Sequence, residues 1–170
     1  DPTHKSALFG LVGLLGKTEF TPEDYGQLET GLRHLLAQVL AQDPSAIIAL
    51  ATLYDHTDRR AELSDHIASM SATMLQQAAL QQAIISLTQQ WQQAGHVYDA
   101  WLLIESTARR VPDATPVTTA AGLLAASNEK PEQAAKWLRQ ALSGAAPDNP
   151  TLQLALAKSL FQIKHYDQSL

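Results

Sequence analysis

The chain has no cysteine, and only 17 % of its 170 residues are charged. Without cysteine it can form no disulfide, no thiolate metal site and no cysteine nucleophile. The same absence leaves the compartment open, because a bacterial periplasm and a cytoplasm are both compatible with it. Aromatic residues make up 6 % of the sequence, but hydrophobic residues reach 45 %, so the chain has enough apolar side chains to fold around a core.

The charges that are present are mildly acidic and scattered. The formal net charge is −5, and the only adjacent basic pairs are Arg59-Arg60 and Arg109-Arg110. A nucleic-acid partner requires a basic stripe, so the sequence predicts no such partner. Apolar runs such as residues 47–51 are far shorter than the roughly 18 residues of a membrane span, so it predicts no membrane insertion either.

The long stretches between glycines and prolines are rich in alanine, leucine and glutamine, which are good helix formers. The clearest helix start is Thr21-Pro22-Glu23-Asp24, where a hydroxyl can cap free N–H groups and proline fits the first turn. Strand patterns are missing. The sequence therefore predicts an all-α fold of about ten helices, at residues 4–16, 22–42, 45–55, 58–71, 75–94, 97–110, 115–128, 131–143, 150–163 and from 166 onward.

Two kinds of residue recur at a nearly constant interval in the second half. Small residues follow similar segments at Ala100, Ala134 and Ser169. Pro112 and Pro147 are separated by nearly the same interval. This interval is about 34 residues, which is the period typical of helix-turn-helix repeats.

Residues 81–170 resemble the tetratricopeptide repeat family, with two units and the start of a third. The first unit begins near Gln81 and carries the family's large, turn, small and terminal residues at Trp91, Gly95, Ala100 and Pro112. The second begins near Thr115 and the third near Pro150. The resemblance implies a right-handed solenoid of helical hairpins, in which small residues let neighbouring helices approach closely.

Residues 1–80 are less regular and are interpreted as degenerate hairpins of the same kind. Asp1-Pro2 and Asp43-Pro44 resemble the end of a repeat, and Pro44 precedes Pro112 by twice the repeat period. The alternative is that residues 1–75 form a separate helical cap. The two ends suggest a segment of a longer array, with possible self-association through its ends.

In this family the partner-binding surface comes mainly from the first helix of each unit. The resemblance implies a groove lined by Gln82, Ile85, Gln89, Gln92, Thr119, Leu123, Thr151, Leu154, Lys158 and Phe161. Members that clamp a terminal carboxylate use Lys, Asn and Arg on this face, and here the matching positions hold none, so that clamp is absent. Recognition through apolar anchors with amides at the rim is expected instead. Alternatively, Leu154 and Phe161 pack on a further repeat.

No catalytic or phosphate-binding motif is present, so the sequence predicts neither an enzyme nor a cofactor. Glu62 and His66 lie four residues apart and could share a metal, but two ligands are too few and the neighbouring arginines would compete for the carboxylate. A solvated corner between helices is the favoured interpretation of residues 55–66, and no metal site is predicted. The three tryptophans, Trp91, Trp101 and Trp137, are interpreted as core residues.

Three functions fit these observations. The first is a scaffold that binds a partner protein or an extended peptide in the groove. The second is a secretion or envelope-assembly chaperone that shields an apolar segment of its client. The third is a regulatory or positioning module of a larger enzyme or export machine.

Overall fold

The computed structural model describes residues 4–39, 45–144 and 147–167, with the backbone alone at 37–39 and 165–167. Every regular element in these ranges is helical, which confirms the all-α prediction. In chain order the helices are α1 Lys5–Val12, α2 Pro22–Val39, α3 Ser45–His56, α4 Ala61–Ser69, α5 Ala72–Leu75, α6 Ala78–Gln93, α7 Val97–Arg110, α8 Thr115–Ser127, α9 Pro131–Ser143 and α10 Pro150–Asp167.

Each helix contacts helices that are close to it along the chain. In the second half, α6 contacts α7 and α8, α7 also contacts α8, and α8 and α9 both contact α10. In the first half, α1, α2 and α3 contact one another in the same way. Four helix pairs connect the halves: α3 packs against α6, α4 against α7, and the short α5 against both α6 and α7.

Several predicted boundaries are confirmed to the residue, including those of α7 at 97–110 and α9 at 131–143. The start of α2 is also as predicted. Thr21 N donates to Asp24 Oδ2 at 2.8 Å, and Asp24 N donates to Thr21 Oγ1 at 3.2 Å, so the two residues cap the helix reciprocally. The predicted ends at Asp1-Pro2 and Asp43-Pro44, and helical residues 40–42, lie outside the described residues.

Two predictions at other boundaries are wrong. The sequence placed a turn at residues 164–165 and a further helix from 166 onward, whereas α10 is continuous through Asp167 because no glycine or proline interrupts it. The helix expected at 75–94 begins only at Ala78 as α6, and the short α5 occupies residues 72–75, mostly in the predicted gap, so that the chain breaks at Gln76-Gln77. The amide of Gln81, which is buried, donates to Leu75 O at 2.9 Å and fixes this break.

Four described residues have a positive φ, and each lies between the two helices of a pair. They are Gly16 after α1, Asp58 after α3, Gly95 after α6 and Glu129 after α8. After the last three, the next N–H donates to the carbonyl five residues earlier, as in the turn from His96 N to Trp91 O at 2.8 Å. Gly95 and Glu129 are separated by one repeat period, so the same turn recurs at the interval seen in the sequence.

The buried residues form one core, which is filled mainly by leucine, isoleucine and alanine. All three tryptophans are buried, which confirms their prediction as core residues. Helices α8 and α9 approach closely at Gly122, where an added Cβ would lie 2.8 Å from the Leu138 side chain. A residue without a side chain is therefore required for this packing.

Candidate protein-binding surface

The predicted groove residues lie on α6, α8 and α10, and these three helices contact one another in series. We call their exposed faces the α6–α8–α10 layer. Gln92 Nε2 donates to Ser127 Oγ at 3.3 Å, which joins the end of α6 to the end of α8. The predicted groove residues of the three helices therefore lie on helices that are neighbours in the fold.

Most of the predicted groove residues are accessible. On α6 and α8, Gln82 and Gln89 are exposed, Gln92 and Thr119 are half-buried, and the Leu123 side chain is 38 % exposed. On α10, Thr151 and Lys158 are exposed, while Leu154 is 57 % and Phe161 is 65 % exposed. Single exposed apolar side chains are ordinary on a folded surface, so their accessibility makes binding possible without itself marking a site.

Ile85 is the exception, because it is only 8 % exposed and its prediction as a groove residue is wrong. Helix α6 contacts α3, α5, α7 and α8, so little of its surface remains free. The family pattern places Ile85 in the groove, but the contacts that α6 makes with other helices are not visible from periodicity. The anchors that remain in the layer are Leu123, Leu154 and Phe161.

A cleft of about 260 Å³ lies between α8 and α10. It is lined by Ala126, Thr151, Leu154, Ala155, Lys158, Ser159 and Gln162. The hydroxyl of Ser159 is buried and already donates to Ala155 O at 2.9 Å, so it presents no free polar group to the cleft. Small side chains therefore leave room for an apolar group, with an ammonium, a hydroxyl and an amide at the edge.

The polar corner at residues 55–66 is solvated, as expected, with Asp58 86 % exposed, and it is also an ion-paired joint between helices. Arg59 holds Glu62 with two bonds of 2.5 Å and also donates to Glu29 Oε2 on α2 at 2.9 Å. The guanidinium of Arg59 lowers the pKa of the Glu62 carboxyl. Because Arg59 occupies that carboxylate, Glu62 and His66 do not form a metal-binding pair, and no group of three potential ligands occurs among the described residues.

The neighbouring arginine joins the two halves of the chain. Arg60 donates to Asp55 Oδ1 at 2.8 Å, pairs with Asp58, and donates through Nε to Asp99 Oδ2 on α7 at 3.1 Å. Sequence reasoning missed this role because adjacent arginines give no sign of their partners. It also missed Asp58 and Glu129 as turn residues, since neither residue type marks a positive φ as glycine does.

No family model, curated protein or solved structure matches this chain. Within the described ranges, none of the helices combines the length and the apolar character that crossing a bilayer would need.

Proposed function

We propose that the helices form a right-handed solenoid of hairpins resembling tetratricopeptide repeats. Two observations support this arrangement in the second half. The contacts among α6 to α10 are confined to neighbouring and next-neighbouring helices, as in an array that grows in one dimension. The turn at Gly95 also recurs at Glu129, one repeat period later.

We further propose that the α6–α8–α10 layer binds an extended segment of a partner protein. The observation that carries this proposal is the distribution of charge. Helices α6 and α8 contain no charged residue, and α10 has Lys158 in its middle with Lys164 and Asp167 only in its last turn, whereas α7 contains four charged residues and α9 three. Solvent-facing surfaces are normally charged, and depletion of charge is characteristic of interface centres.

The side chains of the layer suit a main chain in extended conformation. Gln82 and Gln89 can each donate to and accept from peptide groups, at a smaller desolvation cost than a charged side chain. Leu123 and Leu154 are exposed and offer apolar anchor points between these amides. The result is a scaffold surface in which backbone hydrogen bonds hold the segment and apolar contacts fix its position.

Site-specific photo-crosslinking in cells tests this function. A photoreactive amino acid is placed at Gln89, Leu123 or Leu154 in the layer, and at Arg139 or Gln140 on the exposed face of α9 as matched controls. The three layer positions should capture the same protein, and the two α9 positions should not. Equal capture from both faces, or capture from α9 alone, would reject the layer as the binding surface. The identity of the captured protein then separates a scaffold from a chaperone or an enzyme module.

A further inference from the structure

Helices α2 and α4 line the two sides of one cleft with residues at the same spacing. Glu29, Arg33 and the apolar Leu36 follow one another at steps of four and three on α2, and the polar Glu62, His66 and Ser69 do so on α4. Among the described residues, the two helices make no close backbone contact. Between them lies a cleft of about 240 Å³, which is lined by Arg33, Leu36, His66, Ser69, Met70, Ser71 and Met74.

On one side of this cleft, the charged and hydroxyl groups already form ion pairs and hydrogen bonds with one another. Arg59 bridges Glu29 on α2 and Glu62 on α4. The hydroxyl of Tyr54, from α3, donates to Glu29 Oε1 at 2.8 Å. Both carboxylates therefore have their partners, and they are not free to hold a cation in the cleft.

Two nitrogen-bearing side chains remain on the cleft. Arg33 donates through Nε and Nη2 to Tyr54 Oη at 3.1 and 2.6 Å, and Nη2 also meets Glu29 Oε1 at 2.8 Å. Its Nη1 makes no hydrogen bond with any described residue, and its side chain is 43 % exposed. The half-buried ring of His66 likewise has no hydrogen-bond partner within the described ranges.

We propose that the α2–α4 cleft binds a carboxylate carried on a small apolar group. The carboxylate meets Arg33 Nη1 and the imidazole of His66, while the apolar group lies against Leu36, Met70 and Met74. Tyr54 and Glu29 hold the guanidinium of Arg33 in place, so it is oriented before the ligand arrives. Arg33 offers only Nη1 to the ligand, and the carboxylates of Glu29 and Glu62 lie nearby. The cleft therefore suits a ligand with one negative charge better than a phosphate.

Protonation of His66 should accompany binding. Burial and the nearby charge of Arg33 keep the pKa of His66 below its ordinary value in the free protein. The other ionisable groups around it are Glu29 and Arg33 on α2, Tyr54 on α3, Arg59 in the turn, Glu62 on α4 itself and Arg110 of α7, which donates to Met70 O at 2.8 Å. A bound carboxylate adds a negative charge, and this raises the pKa of His66.

Titration of the isotope-labelled full chain, followed by NMR of the His66 ring, tests the proposal. The probes are hexanoate and N-acetylleucine, with hexanamide and N-acetylleucine amide as uncharged counterparts. We expect both acids to bind with dissociation constants of about 1 mM, at least about tenfold tighter than their amides. Both should also raise the His66 pKa. Equal binding of acid and amide, or no response of His66, would overturn the proposal.

The relative affinities of the two acids show whether the bound carboxylate belongs to the end of a polypeptide chain or to a free small acid. Tighter binding of N-acetylleucine than of hexanoate indicates the end of a polypeptide chain, and the reverse order indicates a free small acid.

Ser69→Leu fills the cleft at an exposed position and should abolish binding of both acids. Ala68→Leu, at the next exposed position outside the cleft lining, should leave the dissociation constants unchanged. Full affinity in Ser69→Leu would place the ligand elsewhere.

Discussion

Helices α1 to α5 and helices α6 to α10 share one apolar core, but they differ in the contacts that are added to it. In the first group, Arg33 and Arg59 tie α2, α3 and α4 through Tyr54, Glu29 and Glu62. In the second group, small side chains bring the helices together. Gly122 against Leu138 is the closest example. The charged cluster fixes particular partners in particular positions, whereas small residues only permit close approach.

The difference explains why the sequence pattern is clear in one region and weak in the other. Packing through small and large residues recurs in every unit, so Ala100 and Ala134 are recognisable one repeat period apart. The residues of a hydrogen-bonded cluster each occur at one place in the chain, so the cluster produces no periodic pattern in the sequence. Arg60 joins the two regions through Asp99, and the first region can therefore depart from the repeat without separating from the second.

The largest effect is expected from Tyr54→Phe in the first region. The buried hydroxyl donates to Glu29 and accepts from Arg33, so its removal leaves both groups with an unsatisfied bond. The free energy of unfolding should fall by about 2 kcal/mol, measured by urea denaturation. Tyr98→Phe, at a side chain 68 % exposed, should change it by less than about 0.5 kcal/mol. Equal effects of the two changes would show that the cluster does not stabilise the first region.

Gly122→Ala tests the second region in the same way. The new Cβ would lie 2.8 Å from the Leu138 side chain and 3.1 Å from its backbone nitrogen. Overpacking should lower the free energy of unfolding by about 1–2 kcal/mol, even though alanine favours the helix. Gly26→Ala on α2, where no atom lies within 4 Å of the added Cβ, should raise it by about 0.5–1 kcal/mol. Stabilisation by both substitutions would contradict the close approach of α8 and α9.

Glu129→Gly tests the turn that the two regions share. Glu129 has a φ of 54°, which is strained for a residue with a side chain. Glycine should relieve this strain and raise the free energy of unfolding by about 1 kcal/mol. Glu132→Gly, three residues later in the first turn of α9, should lower it by a similar amount. A loss of stability in Glu129→Gly would show that this turn lacks the left-handed geometry.

The smallest effect expected is a pH dependence confined to the first region. Burial lowers the pKa of His66 below its unfolded value of 6.5. The stability that it contributes is therefore fully present above pH 6.5 and is lost as the pH falls through the lower folded value. Urea midpoints between pH 8 and pH 5 should fall less in His66→Gln than in the parent chain. An unchanged slope in His66→Gln would contradict the assignment.

Much of the fold could be predicted because helix boundaries depend on local chemistry. The ends of α7 follow from Gly95, which supplies the positive φ of the preceding turn, and from Pro112 just after the helix. The break between α5 and α6 could not be predicted, because Gln76-Gln77 contains no helix breaker. That break depends on the buried amide of Gln81, which is a tertiary contact.

Part of the candidate surface could also be predicted, because residue spacing along a helix determines which face a side chain occupies. Family spacing placed Leu123, Leu154 and Lys158 on accessible faces of α8 and α10, where the structure also has them. Ile85 is buried instead, because α6 packs against several other helices, and contacts between distant elements are not encoded in spacing. The pairing of Arg59 with Glu29 and of Arg60 with Asp99 was hidden in the same way, since these two partners lie on the distant helices α2 and α7.

Introduction of one charge into the α6–α8–α10 layer tests the proposed function most directly. The photoreactive Gln89 variant is combined with Leu123→Glu in the layer, or with Gln140→Glu on the exposed face of α9. A carboxylate buried under the bound segment is costly, so Leu123→Glu should reduce the yield of the captured partner at least about tenfold. Gln140→Glu should leave the yield unchanged. An unchanged yield with Leu123→Glu, or a loss with Gln140→Glu alone, would contradict the account.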